Sequence, residues 1–97
     1  MQTGAGGQET GFVASWGEGK PVIGFNAEFD ALPGISQAAG SAVKTAIVEG
    51  APGHGCGHNM FGTYSSMAAV AVKEAIKAHG IQGTVKVYGT PAEETLV

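Results

Sequence analysis

Four stretches of this chain carry a regular pattern of apolar and polar positions, and their order predicts the fold class. Residues 11–16, Gly-Phe-Val-Ala-Ser-Trp, are rich in aromatic and β-branched side chains and read as a strand. Gly17-Glu18-Gly19-Lys20 reads as a turn, and residues 21–29 as a second strand that begins at Pro21, where proline costs no ladder hydrogen bond. The apolar run from Val22 to Phe25 is that of a strand buried on both faces, and the short turn predicts that the two strands pair as a hairpin. Residues 60–79 follow helical periodicity, with Phe61, Tyr64, Ala68, Ala71, Val72, Ala75 and Ile76 on one broad face and Ser66, Lys73 and Lys77 on the other. Asn59 is placed to cap the start of this helix and Gly80 its end. Residues 83–90 alternate, with Val85 and Val87 on one side and Lys86 and Tyr88 on the other, and read as a third strand. Strand, strand, long loop, helix, strand is the order of an α/β sheet whose last helix is a crossover.

The remaining segments are less patterned. Residues 1–10 are glycine-rich and polar, offer no core, and read as a loop or a flexible start. Residues 35–52 are small and mixed, suited to either a weak helix or an ordered loop. Two apparent phosphate loops fail. Gly4-Ala5-Gly6-Gly7 lacks the strand before and the helix after it, and Gly40-Ser41-Ala42-Val43-Lys44-Thr45 lacks the glycine before the lysine.

Composition narrows the function. Ninety-seven residues make one small domain. Charged residues are 13%, about half the ~25% of ordinary soluble domains, and glycine is far above its usual ~7% at 17 residues. Few charges and many glycines suit a loop-rich site or a part of a larger body. Five lysines, no arginine and a net charge of −3 give no basic stripe for nucleic acid. One cysteine excludes an internal disulfide and fits a reducing, cytoplasmic setting. No apolar run is long enough to span a membrane, and Met1–Gly7 has neither the basic start nor the apolar middle of a signal peptide.

The candidate chemistry lies between these elements. Gly53-His54-Gly55-Cys56-Gly57-His58-Asn59 holds the one cysteine and two of three histidines, immediately before the helix. Thiolate and imidazole are zinc donors, and a helix N-terminus favours a thiolate. Alone, Cys-x-His is more often a cysteine beside turn histidines than a ligand pair, and His54 reads equally as a third donor or an exposed loop residue. Pro91 ends the last strand, and Glu93-Glu94 follow it. One carboxylate binding a metal and its neighbour taking a proton from water is the division of labour that metal-assisted hydrolysis requires. Cys56, His58 and Glu94 then give three donors and an open position. Glu28 and Asp30, two apart at a strand end, are either a further part of the site or solvated turn carboxylates. His79, a helix length of some 30 Å away at ~1.5 Å per residue, cannot join. The alternatives are a glycine-rich loop that cradles a phosphate without metal, and a metal-binding module without catalysis.

Three ordered motifs resemble one family. Glu28-Phe29-Asp30-Ala31-Leu32-Pro33-Gly34, Gly53–Asn59 as quoted above, and Gly89-Thr90-Pro91-Ala92-Glu93-Glu94 are similar to those of the aminoacylase/carboxypeptidase family of dinuclear metallopeptidases. The resemblance runs from about Gly11 to the end. It implies a zinc-exopeptidase-like, three-layer α/β/α catalytic domain with a mixed sheet, of which residues 1–97 are an N-terminal part, without the inserted dimerisation domain. It also implies hydrolysis of the amide of an N-acyl or N-aroyl amino acid such as p-aminobenzoyl-glutamate, with two divalent ions, Zn or Mn, in a complete site. The parent enzyme is expected to be a cytoplasmic homodimer or hetero-oligomer with a small-molecule substrate and no nucleic-acid or membrane partner. By position, Cys56, His58 and Glu94 resemble metal ligands, Glu93 the general base, and Asp30 a residue behind a ligand. Glu28 stands where related branches carry a metal-binding histidine. The implied remaining ligands lie beyond this sequence, so the chain alone is expected to be inactive.

Overall fold

A computed structural model describes residues 1–95 as a mixed four-stranded sheet with one helix across one face. The strands are β1 (Gln2–Thr3), β2 (Phe12–Glu18), β3 (Val22–Glu28) and β4 (Gly83–Thr90), and the helix is α1 (His58–His79). The expected partial α/β domain is present, built on the β3–α1–β4 crossover, and β3 and β4 run parallel from Val22↔Thr84 to Glu28↔Thr90. The sheet order is β1-β2-β4-β3, so the expected β2–β3 hairpin does not form. β4 lies between them, antiparallel to β2 from Phe12↔Gly89 to Glu18↔Gly83.

The turn between β2 and β3 is long enough for this. Crossing two strand spacings of about 4.8 Å each is within the ~13 Å that the chain from Glu18 to Val22 reaches when extended. The turn wraps around the start of β4, whose Thr84 N–H donates to the Pro21 carbonyl (2.9 Å) and whose Thr84 Oγ1 donates to the Gly19 carbonyl (2.7 Å). Lys20–Pro21 is a cis peptide bond. With β4 in the centre, β3 is left at an edge. Its Val22 and Ile23 are exposed rather than buried on both faces, contrary to the reading of the apolar run. Residues 1–10 also do more than expected: β1 pairs with β2, and Ala5 and Gly11 close the intervening turn by Ala5 N–H to Gly11 O (3.1 Å).

The helix begins two residues earlier than the periodicity predicts. Its cap is Gly57, in the left-handed region at φ 74°, a conformation that glycine adopts without a Cβ penalty, and Asn59 falls within the first turn. Gly80 ends the helix as expected, again left-handed, and Ile81 N–H closes on the Ile76 carbonyl (3.1 Å). The helix is also rotated from the predicted face. His58, Ser65 and Ala69 are buried, whereas Tyr64, Ala71 and Ala75 of the predicted face are exposed and Ser66 and Lys73 of the opposite face are half-buried. The smallest side chains set the contact face because they let α1 lie close to the sheet. A Cβ on Gly62 would come within 3.4 Å of the Glu28 carbonyl.

Residues 35–52 form an ordered loop and no helix. Ser36 Oγ accepts from Ile47 N–H (3.2 Å) and Val48 N–H (3.3 Å), and Gln37 spans the loop through Thr45 N–H (2.9 Å) and the Val43 carbonyl (2.9 Å). A two-way bridge between Leu32 and Gly53 pins its base. That bridge places the Gly53–Asn59 segment beside the end of β3.

Candidate metal centre

The carboxyl ends of the parallel strands β3 and β4 and the N-terminus of α1 meet at one place, where ligand sites on such sheets form. Each of the three motifs supplies side chains there. The chain leaves β3 at Glu28, reaches Asp30, and is clamped at Leu32 against Gly53. Gly57 then turns into the helix and sets His58 on its first turn, where the ring is 2% exposed and meets the edge of Phe61 at 5.9 Å between centroids.

Asp30 joins the motifs. Its Oδ1 and its own carbonyl each lie 3.0 Å from His58 Nδ1, and its Oδ2 accepts the Glu94 backbone N–H at 2.8 Å. A carbonyl oxygen only accepts, so Nδ1 carries the proton and Nε2 is turned toward the remaining carboxylates. Burial pushes the Asp30 carboxyl up, but the N–H groups of Glu94 and of Asp30 itself, with His58, outweigh it and hold the pKa below its usual value. Burial likewise pushes His58 down, and its hydrogen bonds to Asp30, with the charges of Asp30 and Glu28, outweigh that and raise its pKa. In this geometry the Asp30 carboxylate fixes the tautomer and orientation of the His58 imidazole.

Around Nε2 stand three carboxylates: Glu28 Oε2 at 3.0 Å, Glu94 Oε1 at 3.7 Å and Glu93 Oε2 at 3.8 Å. Cys56, His58 and Glu94 form one group whose donor atoms lie within 4.8 Å of one another, and Glu28, His58 and Glu93 form another. His58 belongs to both groups. With Nδ1 committed to Asp30, only Nε2 remains to serve either, so the two groups describe one pocket around one nitrogen.

The electrostatics are one-sided. Glu28, Asp30, Glu93 and Glu94 surround a single imidazole, and among the described residues lysines pair only with Glu74 on the helix. Glu94 Oε1 is buried and accepts no hydrogen bond. A buried carboxylate oxygen without a donor, turned toward Nε2 and sharing a donor group with a thiol, fits a bound cation. The helix N-terminus does not produce the expected low-pKa thiol. Cys56 is exposed, and the nearby Glu94 carboxylate, with the charges of Glu93 and Glu28, raises its pKa. A divalent ion would reverse this by replacing the proton.

All five residues singled out from sequence, Asp30, Cys56, His58, Glu93 and Glu94, converge here. His54 is exposed and in neither donor group, and His79 is at the far end of α1. Glu28 comes closer to Nε2 than any of the expected partners. Asn26 and Thr90 were missed altogether. Asn26 Nδ2 donates to Glu28 Oε1 (3.0 Å), and Thr90 Oγ1 donates to Asn26 Oδ1 (3.0 Å). The available signal was strand alternation, which puts residue 26 on the same face as residue 28.

No family model matches the chain, and no solved structure matches it. Two known proteins are similar in sequence. One subunit of the p-aminobenzoyl-glutamate hydrolase of Escherichia coli (strain K12) is 53% identical over 83 residues, covering 86% of this chain and 17% of that protein. The Xaa-Arg dipeptidase of Homo sapiens is 36% identical over 77 residues, covering 74% of this chain and 13% of that protein. The chain thus spans less than a fifth of the length of either relative. By sequence it belongs with the hydrolases related to this p-aminobenzoyl-glutamate hydrolase, as its three motifs imply.

Proposed function

We propose that the chain forms the metal-holding part of an amidohydrolase that cleaves N-acyl or N-aroyl amino acids such as p-aminobenzoyl-glutamate. The observation that carries this reading is the buried, unpartnered Glu94 Oε1 beside His58 Nε2, in a pocket of carboxylates that no lysine among the described residues neutralises. Cys56, His58 and Glu94 would hold a divalent ion, Zn or Mn. Four carboxylates around a neutral, metal-ligating imidazole carry four negative charges, enough to favour a second ion once further donors are supplied. Such an ion, when bound, polarises the scissile carbonyl and acidifies water.

The neighbouring glutamates suit different tasks. Glu94 is 17% exposed and anchored through its backbone to Asp30, as a ligand should be, whereas Glu93 is 45% exposed and free to exchange a proton. Glu93 takes a proton from the attacking water and returns it to the departing amine. The bacterial relative is by name one subunit of its hydrolase, which supports assembly with other subunits.

Glu93→Gln in the protein that carries this chain should abolish hydrolysis of p-aminobenzoyl-glutamate and leave bound metal nearly unchanged. Loss of metal with activity retained would overturn the assignment. A second reading has its own support: both donor groups depend on the same nitrogen, so these residues alone hold one ion and turn nothing over. Chelator-sensitive hydrolysis by the 97-residue chain would exclude it.

A further inference from the structure

We propose that Glu28 is itself a metal donor, and that Asn26 and Thr90 are the positioning residues that aim it. This rests on the metal reading of the site and adds a ligand that the three motif residues do not include. Glu28 Oε2 lies 3.0 Å from His58 Nε2, the shortest of the carboxylate approaches to that atom. Donors sharing one small divalent ion at about 2.0–2.2 Å stand roughly 3 to 3.5 Å apart, so Glu28 is already near a ligand's separation from Nε2.

The bracket fixes which oxygen faces the pocket. Thr90 Oγ1 donates to Asn26 Oδ1 at 3.0 Å, which leaves the amide nitrogen of Asn26 pointing at Glu28. That nitrogen donates to Glu28 Oε1 at 3.0 Å and occupies it, and Oε2 is turned to Nε2. Both bracket residues sit on regular sheet, since Asn26 lies in β3 and Thr90 is the β4 partner of Glu28 in the parallel ladder. A free glutamate would sample several rotamers, and the bracket removes that freedom. Tethering to a rigid ladder is how ligands are held to a productive position. Asn26 itself is exposed, and its side-chain hydrogen bonds run to Glu28 and Thr90 rather than to His58, Cys56 or Glu94, so its effect passes through Glu28.

Cobalt(II) titration of the intact protein tests this, because the cobalt–thiolate charge-transfer band reports Cys56 independently of activity. Glu28→Gln should weaken cobalt binding by roughly tenfold or more while the thiolate band persists at saturation. Glu28→Asp, which keeps the charge but shortens the reach, should fall between. Thr90→Val and Asn26→Leu should each weaken binding by several-fold, and Thr90→Ser should restore it. In a Glu28→Gln background, Thr90→Val should add nothing. Unchanged affinity and spectrum in Glu28→Gln would overturn the proposal and leave the metal reading standing. Undiminished weakening by Thr90→Val without Glu28 would remove the bracket. If the unaltered protein takes up no cobalt at all, the reading beneath both falls.

Discussion

The two nitrogens of His58 have separate duties, and this division makes stability and metal binding respond oppositely to pH. Nδ1 donates to Asp30, and Nε2 faces Glu28. In the metal-free protein the raised pKa of His58 means that its contribution is fully present below 6.5 and is lost as pH rises through the higher folded value. The lowered pKa of Asp30 acts at the other end: its contribution is present above 3.8 and is lost as pH falls through the folded value. The thermal midpoint of metal-free protein should therefore fall as pH rises through the His58 range. Metal must displace protons from His58 and Cys56, whose pKa values are both raised, so stabilisation by Zn or Mn should grow over the same range. Parallel midpoint–pH curves with and without metal would contradict this. Asp30→Asn should lower metal affinity by roughly 10- to 100-fold, measured by competition with a chelator, because the imidazole loses its orienting carboxylate.

At the scale of elements, the legible features were those fixed by local pattern. Alternation located β4 and periodicity located α1, because neighbouring residues determine both. Pairing was not legible. The turn at residues 17–20 resembles a hairpin turn, and nothing within it shows that β4, more than sixty residues later, takes the place beside β2. Four residues of the candidate site were legible because the chemistry of Cys, His and Glu is explicit, and Asp30 was singled out through the motif it shares with the resembled family. The part played by Glu28 depended on a through-space distance. The helix start was missed for a conformational reason: Asn59 is the better cap by side chain, but Gly57 supplies the left-handed turn that points His58 inward. Gly57→Ala should cost about 1 kcal/mol in unfolding free energy, since alanine in that region is strained, while helix content by circular dichroism is kept. Full stability in Gly57→Ala would mean that the turn relaxes to another conformation.

At the scale of the whole molecule, little is enclosed. Ala27, Ala69 and Val85 are the buried apolar residues among those described, and no large side chain among them is fully covered. The radius of gyration is 16.7 Å, against about 12.5 Å for a compact domain of this length. Ile47, Val43, Met60 and Met67 are largely exposed. The 97-residue chain should therefore bind the dye ANS while folded, and should depend on metal for much of its stability. Saturation at a hundredfold excess over Kd is worth about 2.7 kcal/mol, or on the order of 10 °C in the unfolding midpoint for a chain of this size. A large midpoint without metal and no dye binding would show that the open surfaces are closed in solution, by self-association.

The insertion of β4 between β2 and β3 also has a consequence for the order of events as the chain leaves the ribosome. Synthesis runs from the amino end, so β2 emerges with only the two-residue β1 beside it, and β3 with no native partner at all, until residues 83–90 follow. The same late segment delivers Thr90, Glu93 and Glu94. Asp30 and His58 thus wait through some thirty further residues before the Glu94 N–H locks onto Asp30. A nascent chain halted at residue 80 has a thiol and an imidazole but no Glu93–Glu94 pair and no β4, so it has half a site and, of the sheet, only the short β1–β2 pairing. Closure of the β2–β4–β3 sheet and arrival of the acidic pair are one event, which ties ion uptake by these residues to the formation of β4.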